Sequence, residues 1–271
     1  MDRVPGERRR KAARAVALAL PTVAAVAGLA GALFLLWRYG IAGDLLRIER
    51  IQLEGLARAT PEELLELSPA QRGDHLLFVD PDAVEAALRR HPWVAAAEVR
   101  RRFPRTLEVK ITERRPAALV DLGGLYLIDD RGEVFKRAAP GDGLDLPVVT
   151  GIEREAWVER REELEPLLTA ALALLARWSA RGLDGRASVS ELHVDPDYGT
   201  TLWTGDGMEV RLGQGDIEEK LTRLERVLSA LDADGQRAEV LHLDNRRHPD
   251  WVAVRLAGRV GGPDWRSAPA R

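Results

Sequence analysis

Cysteine is absent from the 271-residue sequence, which excludes disulfides, thiolate nucleophiles and zinc sites built on thiolates, and is compatible with an oxidising compartment. A Gly-x-Ser-x-Gly elbow, a phosphate-binding glycine loop and a His-Glu-x-x-His stretch are likewise missing. Gly213-Gln214-Gly215 is too short for a dinucleotide fingerprint and reads as a helix entry. No surplus of basic charge is present either. The chain has 40 basic and 43 acidic residues, of which the first fourteen positions hold six and two, so the remainder carries 34 against 41, a net −7. Contact with a phosphate backbone requires clustered basic surface, so nucleic acid is not an expected ligand. With 45 % apolar and 31 % charged residues spread along the chain, most of it suits water-soluble folded domains. Long hydrophobic runs are lacking, with one exception.

That exception is Ala15 to Trp37, 23 residues without a charge. At about 1.5 Å per residue a helix of this length crosses a hydrocarbon core of about 30 Å. Arg8 to Lys11 and Arg14 precede it, and Trp37 and Tyr39 stand at its far end as an aromatic belt. The expectation is a basic cytoplasmic tail over 1–14, a single transmembrane helix over 15–37 and everything later outside the cytoplasm. The competing reading is a cleaved signal peptide with Gly40-Ile41-Ala42 as the processing site, although the run exceeds the usual apolar core of about 7 to 15 residues. Gly28 and Ala32 form a small-xxx-small pair, which in so alanine-rich a segment reads as composition.

Beyond the run, Ile48, Ile51 and Leu53 predict a short strand. Thr60-Pro61-Glu62-Glu63 and Asp80-Pro81 each open a helix, the first with a capping box. Val94 to Arg101, a Phe103-Pro104 turn, and Leu107, Val109 and Ile111 alternating with polar residues predict a hairpin with one buried face, ended by Pro116. This is a small α+β domain over 46–115, in the order strand, helix, helix, strand, strand. A second, β-rich domain follows over 116–258. It holds strands at Leu125 to Ile128 and Val134-Phe135, then an amphipathic helix marked by Leu164, Leu167, Leu168, Ala171, Leu175 and Trp178. Further strands are predicted at Val189 to Val194, Thr200 to Trp203 and Met208 to Leu212, and a second helix begins at Asp216 with Glu219 as its capping partner. The last strands are Glu239 to Leu243 and Trp251 to Leu256, and 259–271 is expected to be a disordered tail.

These pieces resemble, in order and spacing, the bacterial cell-division family FtsQ, also called DivIB. Gly73-Asp74-His75-Leu76-Leu77-Phe78-Val79-Asp80, Pro92-Trp93-Val94, Ala97, Val99, Arg101 and Pro104, continued by Leu107 to Ile111, Glu113-Arg114 and Pro116-Ala117, resemble that family's POTRA module. Leu127-Ile128-Asp129, Gly132, Val134-Phe135, Leu146-Pro147, Gly151 and Leu212-Gly213 before the Lys220 to Leu224 helix resemble its second domain. One departure stands out. The family often carries Asp-Leu-Arg-Tyr near its last strands, whereas this chain reads Leu241-His242-Leu243-Asp244-Asn245-Arg246. The resemblance implies a membrane-anchored divisome scaffold, not an enzyme, with FtsB and FtsL as partners and with no cofactor or small-molecule substrate.

Two His-x-Asp pairs, His193 with Asp195 and His242 with Asp244, place potential ligands on one strand face, but each lacks a third ligand at a motif spacing. Asp195-Pro196-Asp197 opens like a calcium loop, yet Thr200 and Asp206 stand where glycine and glutamate are required, so a polar turn is expected. Trp93, Trp178 and Trp203 are expected to be buried. The candidate partner-binding residues are Trp251, Val252, Val254, Arg255 and Leu256, read as an exposed sheet edge that a partner strand extends. Two other classes remain. An outer-membrane assembly protein also carries POTRA modules but needs more chain for a barrel, and a membrane-anchored hydrolase needs a convergent polar site around His193 or His242.

Overall fold

The computed structural model describes residues 21, 23–41, 44–245, 247, 248, 250–258 and 266–269. The chain divides into two compact units, Met1–Glu113 and Arg114–Arg271. In the first, residues 23–35 form helix α1, followed by a π-helical turn at Leu36–Ile41. The expected tail over 1–14 and part of the expected span, 15–20 and 22, lie outside the described residues. Among the described residues no helix is long and apolar enough to cross a membrane.

The rest of the first unit is β1 (Arg50–Glu54), α2 (Pro61–Leu67), α3 (Pro81–Leu88), β2 (Val94–Arg102) and β3 (Thr106–Glu113). Both helix starts follow from local chemistry. Thr60 Oγ1 accepts the Glu63 N–H at 3.3 Å while the Glu63 carboxylate accepts the Thr60 N–H at 2.9 Å, and Asp80 accepts the Asp82 N–H at 3.1 Å. Each cap satisfies donors that a first helical turn leaves unpaired. Strand β3 lies at the centre of the sheet, parallel to β1 and antiparallel to β2. Leu107, Val109 and Ile111 are at most 3 % exposed, so one face of β3 carries the core that Leu64, Val84 and Leu88 close from the helices. Trp93 is buried, with the Arg58 guanidinium 4.8 Å from its ring centre.

The second unit is one ten-stranded sheet among the described residues. Its first strands are β4 (Pro116–Asp121), β5 (Leu125–Asp129), β6 (Val134–Arg137) and β7 (Val148–Thr150). Helices α4 (Arg154–Glu159) and α5 (Arg161–Ala180) lead to β8 (Val189–Asp195), β9 (Gly199–Thr204) and β10 (Glu209–Gly213). Helix α6 (Ile217–Ala233) leads to β11 (Ala238–His242), β12 (Trp251–Leu256) and β13 (Arg266–Pro269). In space the order is β13-β12-β11-β10-β9-β8-β7-β4-β5-β6.

Two connections are parallel crossovers, β7 to β8 and β10 to β11. The pairing of β8, β9 and β10 makes β7 and β10 run the same way, and both crossovers step in the same direction along the sheet. Right-handed crossovers of that kind place both helices on one face. The ion pairs of Arg177 and of Arg181, at the end of α5, with Glu218 join the two helices there, and Arg186, in the segment after α5, pairs with Asp232 of α6. Leu168, Leu172 and Trp178 of α5 and Leu221, Leu224 and Leu228 of α6 share one core with Leu192, Leu202, Val210 and Leu241 of the sheet. The opposite face lacks a helix among the described residues.

The structure departs from the sequence reading in several places. Strand β3 ends at Glu113, before Pro116 as expected, but Pro116 itself opens β4, which the sequence reading lacked, since the first position of a strand needs no N–H from proline. A third helix, α4, precedes α5, and the three-residue β7 is additional. Part of the expected disordered tail, Arg266–Pro269, is a strand paired with β12, while 259–265, 270 and 271 lie outside the described residues. Trp203 is half-buried rather than fully buried, because its position on β9 points away from the helices.

Candidate functional site

Strand β12 occupies the residues read from the sequence, Trp251–Leu256, but not as a free edge. On one side it pairs antiparallel with β11, Leu241 opposite Val254 and His242 opposite Ala253. On its other side β13 runs antiparallel, with Trp251 opposite Pro269 and Val254 opposite Arg266. The expectation that Trp251, Val252, Val254, Arg255 and Leu256 form an open edge is therefore corrected: an unpaired row of N–H and C=O groups is a template for any extended segment, and the chain's own end supplies one. The alternation of the strand divides the five residues. Val252, 2 % exposed, and Val254 pack on the helix-covered core, whereas Trp251 and Arg255 belong to the opposite face, where Arg255 Nη2 donates to Glu239 at 3.0 Å.

The turn into β12 is built from Lys220, Asp244 and Asn245 in roles that the sequence reading did not give them. Lys220, in the first turn of α6 and only 6 % exposed, donates from Nζ to the Leu212 carbonyl at 2.6 Å, the Gln214 carbonyl at 2.6 Å and Asp244 Oδ1 at 2.8 Å. Three oxygens thus take up the three N–H groups of a buried ammonium, the condition under which such a charge is tolerated. Asp244 immediately follows Leu243, whose N–H continues the β11 ladder to the Arg211 carbonyl. Gly213 makes the arrangement possible, since its φ is +64° and a Cβ there would lie 2.3 Å from the Asp244 carboxylate. Asn245 Oδ1 then accepts the N–H groups of Arg247 and His248 at 3.1 and 3.0 Å. The His248 ring stacks on Trp251 with centroids 4.5 Å apart. Among the described residues, named contacts link Lys220 to Asp244, Asn245 to Arg247 and His248, and His248 to Trp251. The one sequence signal for Lys220 was its position beside the apolar stripe of Leu221 and Leu224, where a solvated residue was not required.

The remaining candidates lie apart from this turn or do not form a site. Thr150 Oγ1 is 2.8 Å from Glu191 and 2.9 Å from His193 Nδ1 on the face away from the helices. The Thr150 hydroxyl donates to Glu191, so it is held between two side chains rather than activated as a nucleophile. Asp195 Oδ1 accepts the N–H groups of Tyr198 and Asp197, which hold its carboxyl below the usual range and close a polar turn. Burial lowers the His242 imidazole below its ordinary 6.5, and the adjacent Arg211 guanidinium adds to the effect. Among the described residues no group of three or more His, Cys, Asp or Glu side chains is arranged to hold a metal ion.

Two family models match the chain: the POTRA domain of FtsQ type over residues 46–114 and the C-terminal part of the cell division protein FtsQ/DivIB over 118–246. A cell division protein FtsQ from Anaeromyxobacter sp. (strain K) is 74 % identical over 268 residues, covering 99 % of this chain and 91 % of the relative. The chain belongs to the FtsQ/DivIB family. A second FtsQ, from Myxococcus fulvus, is 44 % identical over 210 residues, 78 % of this chain and 74 % of its own length, and one from Allochromatium vinosum is 31 % identical over 250 residues, 86 % and 94 % respectively. The FtsQ-type POTRA match coincides with the β1-α2-α3-β2-β3 arrangement. The match to the C-terminal part ends two residues past Asp244, so β12 and β13 lie beyond its span.

Proposed function

We propose that this chain is a single-pass inner-membrane scaffold of the division septum, which holds other division proteins through its extracytoplasmic units and catalyses no reaction. The observation that carries the reading is family membership combined with a chain end organised around strand pairing rather than around a reactive pocket. The proposed organisation is a cytoplasmic tail over 1–14, a transmembrane helix over 15–37, a POTRA domain over 46–115, an FtsQ-type β domain over 116–258 and a tail over 259–271. Support for the membrane helix comes from the charge-free run with its basic flank. It also comes from α1, in which Val23, Val26, Leu29, Leu33, Phe34 and Leu35 are all more than half exposed in the protein alone, as lipid-facing side chains are.

Binding is proposed at β12 through Trp251, Val252, Val254, Arg255 and Leu256, with a strand from FtsB or FtsL, the partners implied by the family, adding to the sheet. Main-chain hydrogen bonds then supply affinity and the fixed turn at Asp244 to His248 supplies position. A reporter active only outside the cytoplasm, fused after Arg271, is expected to be active and membrane-bound, and pull-down of FtsB and FtsL by the tagged chain is expected to succeed. Release of a shortened soluble product, or no capture of either partner, would overturn the respective half of the proposal.

A further inference from the structure

The place on the sheet that a partner strand would take is held by the chain itself. Strand β13 pairs antiparallel with β12 at four positions, Trp251 to Val254, although β12 has six residues. Its sequence, Arg-Ser-Ala-Pro, is poor strand material: serine, alanine and proline bring little cross-strand packing, and Pro269 has no N–H for a ladder. What favours the pairing is the tether. Only nine residues separate Leu256 from Arg266, so the end of the chain stands near β12 at an effective concentration in the range of about 1 mM.

We propose that Arg266–Pro269 is an intramolecular stand-in for the partner strand, and that partner binding proceeds by exchange of β13 for an incoming antiparallel strand. The inference rests on the proposed docking at β12 and adds to it a competitor built into the chain. It also defines the partner chemistry: an extended segment of six or more residues, richer than β13 in β-branched and aromatic side chains, able to register with the whole of Trp251–Leu256. Such a segment forms more ladder bonds than β13 and wins the exchange once brought to the membrane beside it. Alone, the sheet keeps its last strand covered, which protects it from pairing edge to edge with a second copy.

The absence of native cysteine makes the test clean. Ala253 and Ser267 are register partners, so full-length chain carrying Ala253→Cys and Ser267→Cys can be locked by oxidation and released by reduction, the reduced form serving as its own folding control. A second chain ends at Gly258. Affinity for purified FtsB–FtsL is measured for both in detergent, together with binding of a synthetic peptide of residues 259–271 to the shortened chain. Expected are affinity about tenfold or more tighter for the shortened chain, loss of binding on oxidation that reduction restores, and saturable peptide binding that competes with FtsB–FtsL. Equal affinities for the full and shortened chains, with oxidation lacking effect, overturn the exchange. Adding Val254→Pro to the shortened chain then separates the two ideas: if it abolishes binding, docking at β12 stands and only the competitor is wrong, and if binding persists, the docking reading falls as well.

Discussion

At the end of β3 the first unit holds a carboxylate among backbone N–H groups, whereas at the start of α6 the second buries an ammonium among backbone carbonyls. Glu113 accepts the N–H groups of Ala57, Arg58 and Ala59 at 2.9 to 3.0 Å, tying the central strand to the loop before α2. Lys220 ties α6 to the end of β10 and to Asp244 after β11. Both anchors satisfy one charge with several partners, three backbone N–H groups for Glu113 and two backbone carbonyls with the Asp244 carboxylate for Lys220. They differ in what they position. The Glu113 clamp closes the POTRA fold upon itself, while the Lys220 clamp fixes the turn that delivers β12. Disturbing the first should therefore cost stability, and disturbing the second should cost stability and binding together.

The largest expected effect lies in the first unit. Val109, 1 % exposed at the centre of β3, replaced by Asp puts an unpaired charge into a small core, with a loss of about 3 kcal/mol or more. The first thermal transition should fall or vanish; an unchanged transition would show that the β3 register is wrong. Next comes the second clamp. Asp244→Ala leaves the Lys220 ammonium buried with two carbonyls and should cost about 3 kcal/mol, whereas Lys220→Met removes the more deeply buried charge and leaves the Asp244 carboxylate, whose side chain is 24 % exposed, to water, and should cost less, about 1 to 2 kcal/mol. Denaturant titration of both variants checks the order, and a larger loss for Lys220→Met would mean that the ammonium is not the costly group.

The smallest effects come from pH and separate the units. For Glu113, burial opposes ionisation, but the N–H groups of Ala57, Ala59 and Arg58 outweigh it and hold its pKa below 4.5. The stabilisation is fully present above that value and is lost as the pH falls through the lower folded pKa. For His242 the folded pKa lies below 6.5, so the unfolded chain takes up the proton first and stability declines as the pH drops from 6.5 toward the folded value. Acid should thus weaken the second unit at a higher pH than the first. His242→Gln should remove the earlier decline and Glu113→Gln should flatten the later one, each read from thermal midpoints between pH 7 and 3.5.

Much of this layout was legible in the sequence because it rests on local signals. The caps at Thr60 and Asp80 are side chains acting on N–H groups within three residues, and the face of Leu107, Val109 and Ile111 is plain alternation. Strand β12 was bounded by its own pattern. Elements fixed by distant partners were not legible. Strand β7 is three residues long and has no period to detect, and α4 is six residues whose buried Trp157 gives one point of contact. Strand β13 exists through its pairing with β12 and not through its propensity. Lys220 was unreadable for the same reason, since its oxygens come from β10, the turn after it and the end of β11, which only the folded sheet brings together. The bounds of β12 were therefore legible, while its pairing with β13 and the Lys220 anchor required the structure.

Partner binding by Val254→Pro is the most direct measurement. Proline removes one N–H from β12 and constrains its φ, while Val254→Ala controls for the packing of that side chain on the core and Val252→Ala reports the cost of a fully buried neighbour. Full-length chains that retain the thermal transition of the second unit should bind FtsB–FtsL about tenfold or more weakly with Val254→Pro, and only modestly more weakly with either alanine. Undiminished binding by a folded Val254→Pro chain would contradict docking at β12 and leave family membership intact.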